Sequence, residues 1–279
     1  MGFIQKLNWL IELYLSTLKS AWKISLWAPF LVYSVLQLFL LIALVSYVNP
    51  GIHTILSPVI SLAAGMGSPL FGHYPDLFLM LPMVFQWGKL ILGIIFEGLA
   101  AGVTSLLFLK AFTSSERAQT AYKSSFSRWP QLVITWTCIT AVLVLVNWLL
   151  PSVFSGLLEG SPRRVAVFDI FLRLLTVFLY AIFIYAVPAV AAFQKSVWGA
   201  FKMSFSFFAK YPIFSFFLAL VPYLLSIPTT FLAAQSDVIV EKFSPELVFY
   251  ILLVGIIADL LVNFLTTGAV VKFLIEETE

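Results

Sequence analysis

Of the chain's 279 residues, 61% are hydrophobic and 10% are charged, whereas soluble domains are about a quarter charged, so the sequence reads as an integral membrane protein. The net charge of +3 is small and dispersed, which suits loops beside anionic lipid and argues against a nucleic-acid partner. Most of the length is committed to apolar runs, so no connecting segment can bury a soluble core, and one membrane domain over residues 1–279 is expected.

The first 25 residues carry Gln5, Asn8, Glu12, Ser16, Lys19 and Lys23 as one narrow polar stripe. The remaining surface is Phe3, Ile4, Leu7, Leu10, Ile11, Tyr14, Leu18 and Trp22, the pattern of a helix lying at headgroup depth and not of a secretory signal. Runs long enough to cross about 30 Å of hydrocarbon place six spans near 27–48, 84–110, 130–150, 167–193, 211–234 and 247–272. Between the first two, the stretch 49–82 has no Lys or Arg, four prolines and an apolar core over 52–64 that is too short to span. It reads as a re-entrant or interfacial piece or as a packed cap, and the packed cap is preferred. The stretches 151–166 and 235–246 carry Pro, Gly, Ser and charge and read as ordinary connectors.

Lys and Arg sort these connections into two sides. Lys6, Lys19, Lys23, Lys110, Arg117, Lys123, Arg128, Lys195, Lys202, Lys210 and Lys272 make eleven on one side, against Arg163, Arg164 and Lys242 on the other. By the positive-inside rule the richer side is cytoplasmic, both termini lie inside, and a cell membrane location follows.

Three pentapeptides of the form Ala-aromatic-Lys-x-Ser precede apolar runs: Ala21 to Ser25 around Lys23, Ala121 to Ser125 around Lys123, and Ala200 to Ser204 around Lys202. Small residues four apart share a helical face and allow close backbone approach, while the aromatic and the Lys suit the membrane-water boundary. Each copy is followed by a proline, Pro29, Pro130 or Pro212, near the start of the next span. The expected fold is therefore all-α. It comprises six transmembrane helices and three interfacial amphipathic helices in units of about 1–110, 111–193 and 194–279, related by a pseudo-threefold axis along the membrane normal. The second amphipathic helix is expected to start after Ser114 or Ser115, with Glu116 close behind.

From Val187 to Tyr223 a proline-containing span end is followed by a short polar turn, Trp198 to Ser204, an aromatic stretch and a new span. This resembles the membrane domain associated with glycerophosphoryl diester phosphodiesterases and related bacterial six-span families, and the last two units carry the resemblance. It implies a topology. The phosphodiesterase reaction of that family belongs to a separate soluble barrel domain, so hydrolase activity is not expected to carry over.

Glu97 and Asp259 sit at the centres of spans two and six, each 13 residues before a cytoplasmic-end lysine, Lys110 and Lys272. Ionised carboxylates at mid-membrane are costly, face the bundle interior and are functional candidates by default. Lys89 and Gly93 share a face with Glu97, Asn263 and Thr267 follow Asp259 on its face, and Asn147 and Arg173 add polarity in spans three and four. The acids read either as a proton, cation or solute site or as interhelical hydrogen-bond partners that fix register. Gly98-x-x-x-Gly102 marks a close helix crossing. His53, His73, Asp76 and Glu159 match no standard ligand spacing, and the single Cys138 excludes an intrachain disulfide or a Cys-based cluster. No phosphate loop, nucleophile elbow or zinc-protease helix is present, so no cofactor, metal or enzymatic reaction is expected.

Three roles remain: a non-catalytic accessory or scaffold component that associates with other membrane proteins or with itself, a transporter or channel using Glu97 and Asp259, and a lipid-acting enzyme. The last ranks lowest because the conspicuous acids lie at mid-membrane and not at headgroup depth. The basic-residue asymmetry generates a direct test. Single cysteines at Ser115, Ser196 and Thr278 should be shielded from an impermeant reagent added outside intact cells, whereas Ser155 and Ser236 should label; labelling at Ser196 would overturn six spans.

Overall fold

Hydrocarbon offers no partner to a free backbone N–H or C=O, so a chain of this composition must satisfy its backbone within helices. The computed structural model describes residues 3–65, 70–113 and 121–278, and among them the regular structure is helical, without strands. In order the α-helices are α1 Phe3–Lys19, α2 Ile24–Val45, α3 Pro50–Ala64, α4 Asp76–Phe112, α5 Ala121–Ser127, α6 Trp129–Leu158, α7 Pro162–Phe183, α8 Ala186–Ala191, α9 Val197–Lys210, α10 Pro212–Tyr223, α11 Ile227–Ala233, α12 Ser236–Lys242 and α13 Leu247–Thr278. Five helices are long and apolar enough to cross a membrane, or six if the α9–α10 pair, bent by 104°, counts as one. The chain is a helical, multi-pass membrane protein.

Three boundaries differ from expectation. The connector expected over 151–166 shrinks to 159–161, because α6 tolerates Pro151 and α7 starts on Pro162 behind a Ser161 cap. Ser236–Lys242 is helical where 235–246 reads as a connector. The fifth run, 211–234, is broken between α10 and α11. With 12 residues, α10 rises only about 18 Å. Pro222 near its end removes the N–H that would bond the Leu218 carbonyl. Tyr14 of α1 donates its hydroxyl to that carbonyl at 2.7 Å, so the freed acceptor is satisfied. The second amphipathic helix is described from Ala121 onward, and its expected start at Ser114, Ser115 and Glu116 lies outside the described residues.

The helices form two compact units: residues 1–27, 98–223 and 264–279, and residues 28–97 and 224–263. Helices α2, α4 and α13 contribute to both, so the units cut across the sequence repeats. In the first, α4 crosses α6 closely: a Cβ on Gly98 would lie 2.8 Å from Trp136 Cβ, and one on Gly102 would lie 2.7 Å from Leu132 Cδ1. A Cβ on Gly268 would collide with Thr17 of α1 and with Phe108. One turn on, Phe273 is fully buried among Trp9, Tyr185, Phe207, Tyr211 and Phe214, with ring centroids 5.1–6.0 Å away. Glu276 accepts from Trp9 Nε1 at 2.6 Å, and Glu277 accepts from Lys210 at 2.7 Å and Tyr211 at 2.9 Å. These bonds tie the end of α13 to α1 and α9.

In the second unit, Ile60 of α3 and Phe71 join Leu41, Leu44, Tyr47, Leu81, Val84, Val248 and Ile256 in one apolar core. The described part of the 49–82 stretch thus contributes Ile60, Phe71 and Leu81 to the core, with α3 capped by Asn49, whose side chain accepts from Gly51 N at 3.1 Å. Glu246, just before α13, accepts from Ser244 and Tyr74, and the Ser244 hydroxyl holds its carboxyl below the usual carboxylate range.

The small residues of the pentapeptide are buried in two copies and not in the first. Ala121 and Ser125 are buried, as are Ala200 and Ser204. Ser204 Oγ donates at 2.6 Å to the Ile182 carbonyl near the end of α7. In the first copy Ala21 lies on a 3-10 turn, Lys23 is extended and Ser25 is exposed, so Ala21 and Ser25 share no packed face. The four-residue spacing of small residues misleads here because Lys23 breaks the helix between them. Accordingly, Ala121→Leu and Ala200→Leu should each lower stability by about 1–3 kcal/mol, as overpacking does. Ala21→Leu should stay within about 0.5 kcal/mol of wild type; thermal midpoints in detergent measure all three, and equal midpoints for Ala200→Leu and wild type would refute the packed face.

Candidate functional site

Helical spacing builds the site. Lys89, Gly93 and Glu97 lie four apart on α4, and Asp259 and Asn263 lie four apart on α13, so each set falls on one face of its helix. The two faces meet within the second unit. Lys89 Nζ pairs with Asp259 Oδ2, and Asn263 Nδ2 donates to Glu97 Oε1 at 3.2 Å. A third helix completes the cluster: Tyr33 of α2, buried, donates its hydroxyl to Glu97 Oε2 at 3.1 Å. Gln37, one turn further on α2 and also buried, has an Oε1 with no hydrogen-bond partner among the described residues.

Gly93 makes this geometry possible. A Cβ there would stand 2.9 Å from Glu97 Oε2 and 3.1 Å from Tyr33 Oη, so any larger residue would displace the carboxylate from its donor. One turn toward the start of each helix the surroundings become apolar, with Val84 and Phe85 on α4 and Leu252 and Ile256 on α13 all buried. Glu97 is therefore held by two neutral donors, and Lys89 and Asp259 neutralise each other: one cation against two carboxyl groups. The ion pair is not closed off, since the Lys89 and Asp259 side chains are 31% and 26% exposed.

Of the six residues singled out from the sequence, Glu97, Asp259, Asn263 and Lys89 come together. Asn147 and Arg173 do not. Both belong to the first unit, where Asn147 Nδ2 donates to Thr176 Oγ1 at 3.0 Å and Arg173 pairs with Asp169 one turn away at 2.8 Å. Thr267 also lies in the first unit, buried. Sequence reasoning missed Tyr33 and Gln37; the available signal was two hydrogen-bonding side chains four apart inside an apolar run. His53 stacks on Tyr47 at 4.7 Å, and no group of three His, Cys, Asp or Glu gathers among the described residues.

No protein-family model, curated protein or solved structure matches the chain. The fold and site thus define the class by themselves: a multi-pass helical membrane protein with a polar, charged cluster in its spans.

Removing one member of a buried ion pair leaves a bare charge, which is far worse than removing both. Lys89→Met should therefore destabilise by less than the roughly 3–5 kcal/mol of a fully enclosed pair, because this pair is partly open, but clearly more than Lys89→Met/Asp259→Leu. Thermal unfolding of the two variants gives the comparison, and a double variant weaker than the single would remove the pairing.

Proposed function

We propose that this integral membrane protein is a non-catalytic accessory or scaffold subunit, and that the open side of the Lys89–Asp259 pair is where a transmembrane helix of another membrane protein docks. The half-open ion pair carries this reading. Flanking residues on the same two helices, Trp87, Ile91, Val254 and Ile257, are exposed and apolar, so the pair is a polar spot in a lipid-facing wall. Charge at span depth costs at least about 2.5 kcal/mol against lipid. A polar side chain on a neighbouring helix removes that cost and supplies the specificity that apolar contact alone lacks in a bilayer. Within the chain the cluster is already internally bonded, and buried apolar residues border it, which favours a fixed element over a moving one. The distribution of basic residues supports a plasma-membrane location with both termini cytoplasmic. The resemblance to phosphodiesterase-associated membrane domains adds a topology and no reaction.

A transport reading has its own support in the run of exchangeable groups Gln37, Tyr33, Glu97 and Asn263 across three helices. One set of experiments separates the two. In liposomes the wild-type protein should leave proton and ion gradients intact, and after mild solubilisation it should be recovered with a constant set of membrane partners. Lys89→Leu/Asp259→Leu should fold yet lose those partners. A gradient-linked flux that Glu97→Gln/Asp259→Asn abolishes without unfolding would replace the accessory role by transport.

A further inference from the structure

At the tip of the α6–α7 hairpin a surface cavity of about 570 Å³ is lined by Ser161, Arg163, Arg164, Val167, Phe168 and Phe171. Two arginines side by side occupy the first turn of α7, the positive end of its dipole, where cations are disfavoured and anions favoured. Among the described residues neither makes an ion pair, whereas Lys89, Arg173, Lys210 and Lys272 each do. Arg164 spends one donor on the Leu157 carbonyl at 3.4 Å. This pair also makes up two of the three basic residues on the poorer side of the sequence's charge distribution. An uncompensated double positive charge calls for an anion.

The rest of the cavity says what kind. Arg163, Val167 and Phe171 follow one another at four-residue steps, and Arg164, Phe168 and Phe171 at steps of four and three, so the arginines head an apolar lane down one face of α7. Guanidinium groups present forked donors that fit a phosphate. We infer that this cavity binds an anionic phospholipid, its phosphate on Arg163 and Arg164 and an acyl chain along Val167, Phe168 and Phe171. A free phosphate would use the arginines and leave the lane unexplained. The site stands independently of the role of the Lys89–Asp259 face.

Native mass spectrometry of the full chain in a non-ionic detergent, with equimolar phosphatidylglycerol and phosphatidylcholine, tests it. Phosphatidylglycerol should be retained with a preference of about thirtyfold, the scale set by two basic residues at a membrane surface. Arg163→Gln/Arg164→Gln should abolish the preference and each single substitution should reduce it, while Lys242→Gln, the remaining basic residue on that side, should leave it unchanged. The lipid-free thermal midpoint of the double variant should equal that of wild type, which separates lost binding from lost folding. Millimolar inorganic phosphate should not displace the lipid. The proposal is overturned if the double variant keeps the preference, if Lys242→Gln lowers it equally, or if inorganic phosphate displaces phosphatidylglycerol.

Discussion

In a bilayer an apolar side chain gains nothing by leaving lipid for protein, so helices hold together through close backbone approach and interhelical polar bonds. The close approach of small residues is the constraint on which the first unit depends. Gly98 and Gly102 bring α4 onto Leu132 and Trp136 of α6, and Gly268 brings α13 onto Thr17 of α1. A methyl group at any of the three would collide with a neighbouring side chain. Because α13 lies that close to α1, Phe273 can sit at the centre of an aromatic cluster, and Glu276 and Glu277 can reach Trp9, Lys210 and Tyr211.

The second requirement is that carbonyls released by helix breaks find donors. Helices α1 and α9 each supply one hydroxyl. Tyr14 of α1 serves Leu218, freed by Pro222, and Ser204 of α9 serves the Ile182 carbonyl near the end of α7. In lipid such a hydroxyl has no substitute from water.

Two groups of charges stand out in so apolar a chain. Lys89, Arg173, Lys210 and Lys272 are compensated by carboxylates of the chain itself, and the Lys89–Asp259 pair is compensated yet still partly open. Arg163 and Arg164 are uncompensated and lie against an apolar groove. The first kind of exposure fits a protein neighbour at span depth, the second a lipid at the boundary, and the difference rests on whether the charge is already neutral before anything binds.

Composition and apolar run length alone determined that the chain is helical and crosses a membrane several times, since hydrocarbon admits only helices or closed barrels and the long unbroken apolar runs lack the alternation of barrel strands. Four-residue spacing also made Lys89 and Glu97, and Asp259 and Asn263, legible as faces of two helices, because the helical repeat is a local property. Which of these faces meet was decided by tertiary structure: Lys89 pairs across to Asp259, Glu97 to Asn263, and Tyr33 enters from the first span. The same holds for the Ala-aromatic-Lys-x-Ser motif. Its letters recur three times, but Lys23 is extended in the first copy, so Ala21 and Ser25 share no packed face there, and a local pattern cannot announce a break that depends on what the neighbouring helices bury. The fifth span shows the same limit from the other side: 211–234 reads as one continuous apolar run, and only the structure shows the break after α10 and the placement of Tyr14 against the Leu218 carbonyl that Pro222 frees.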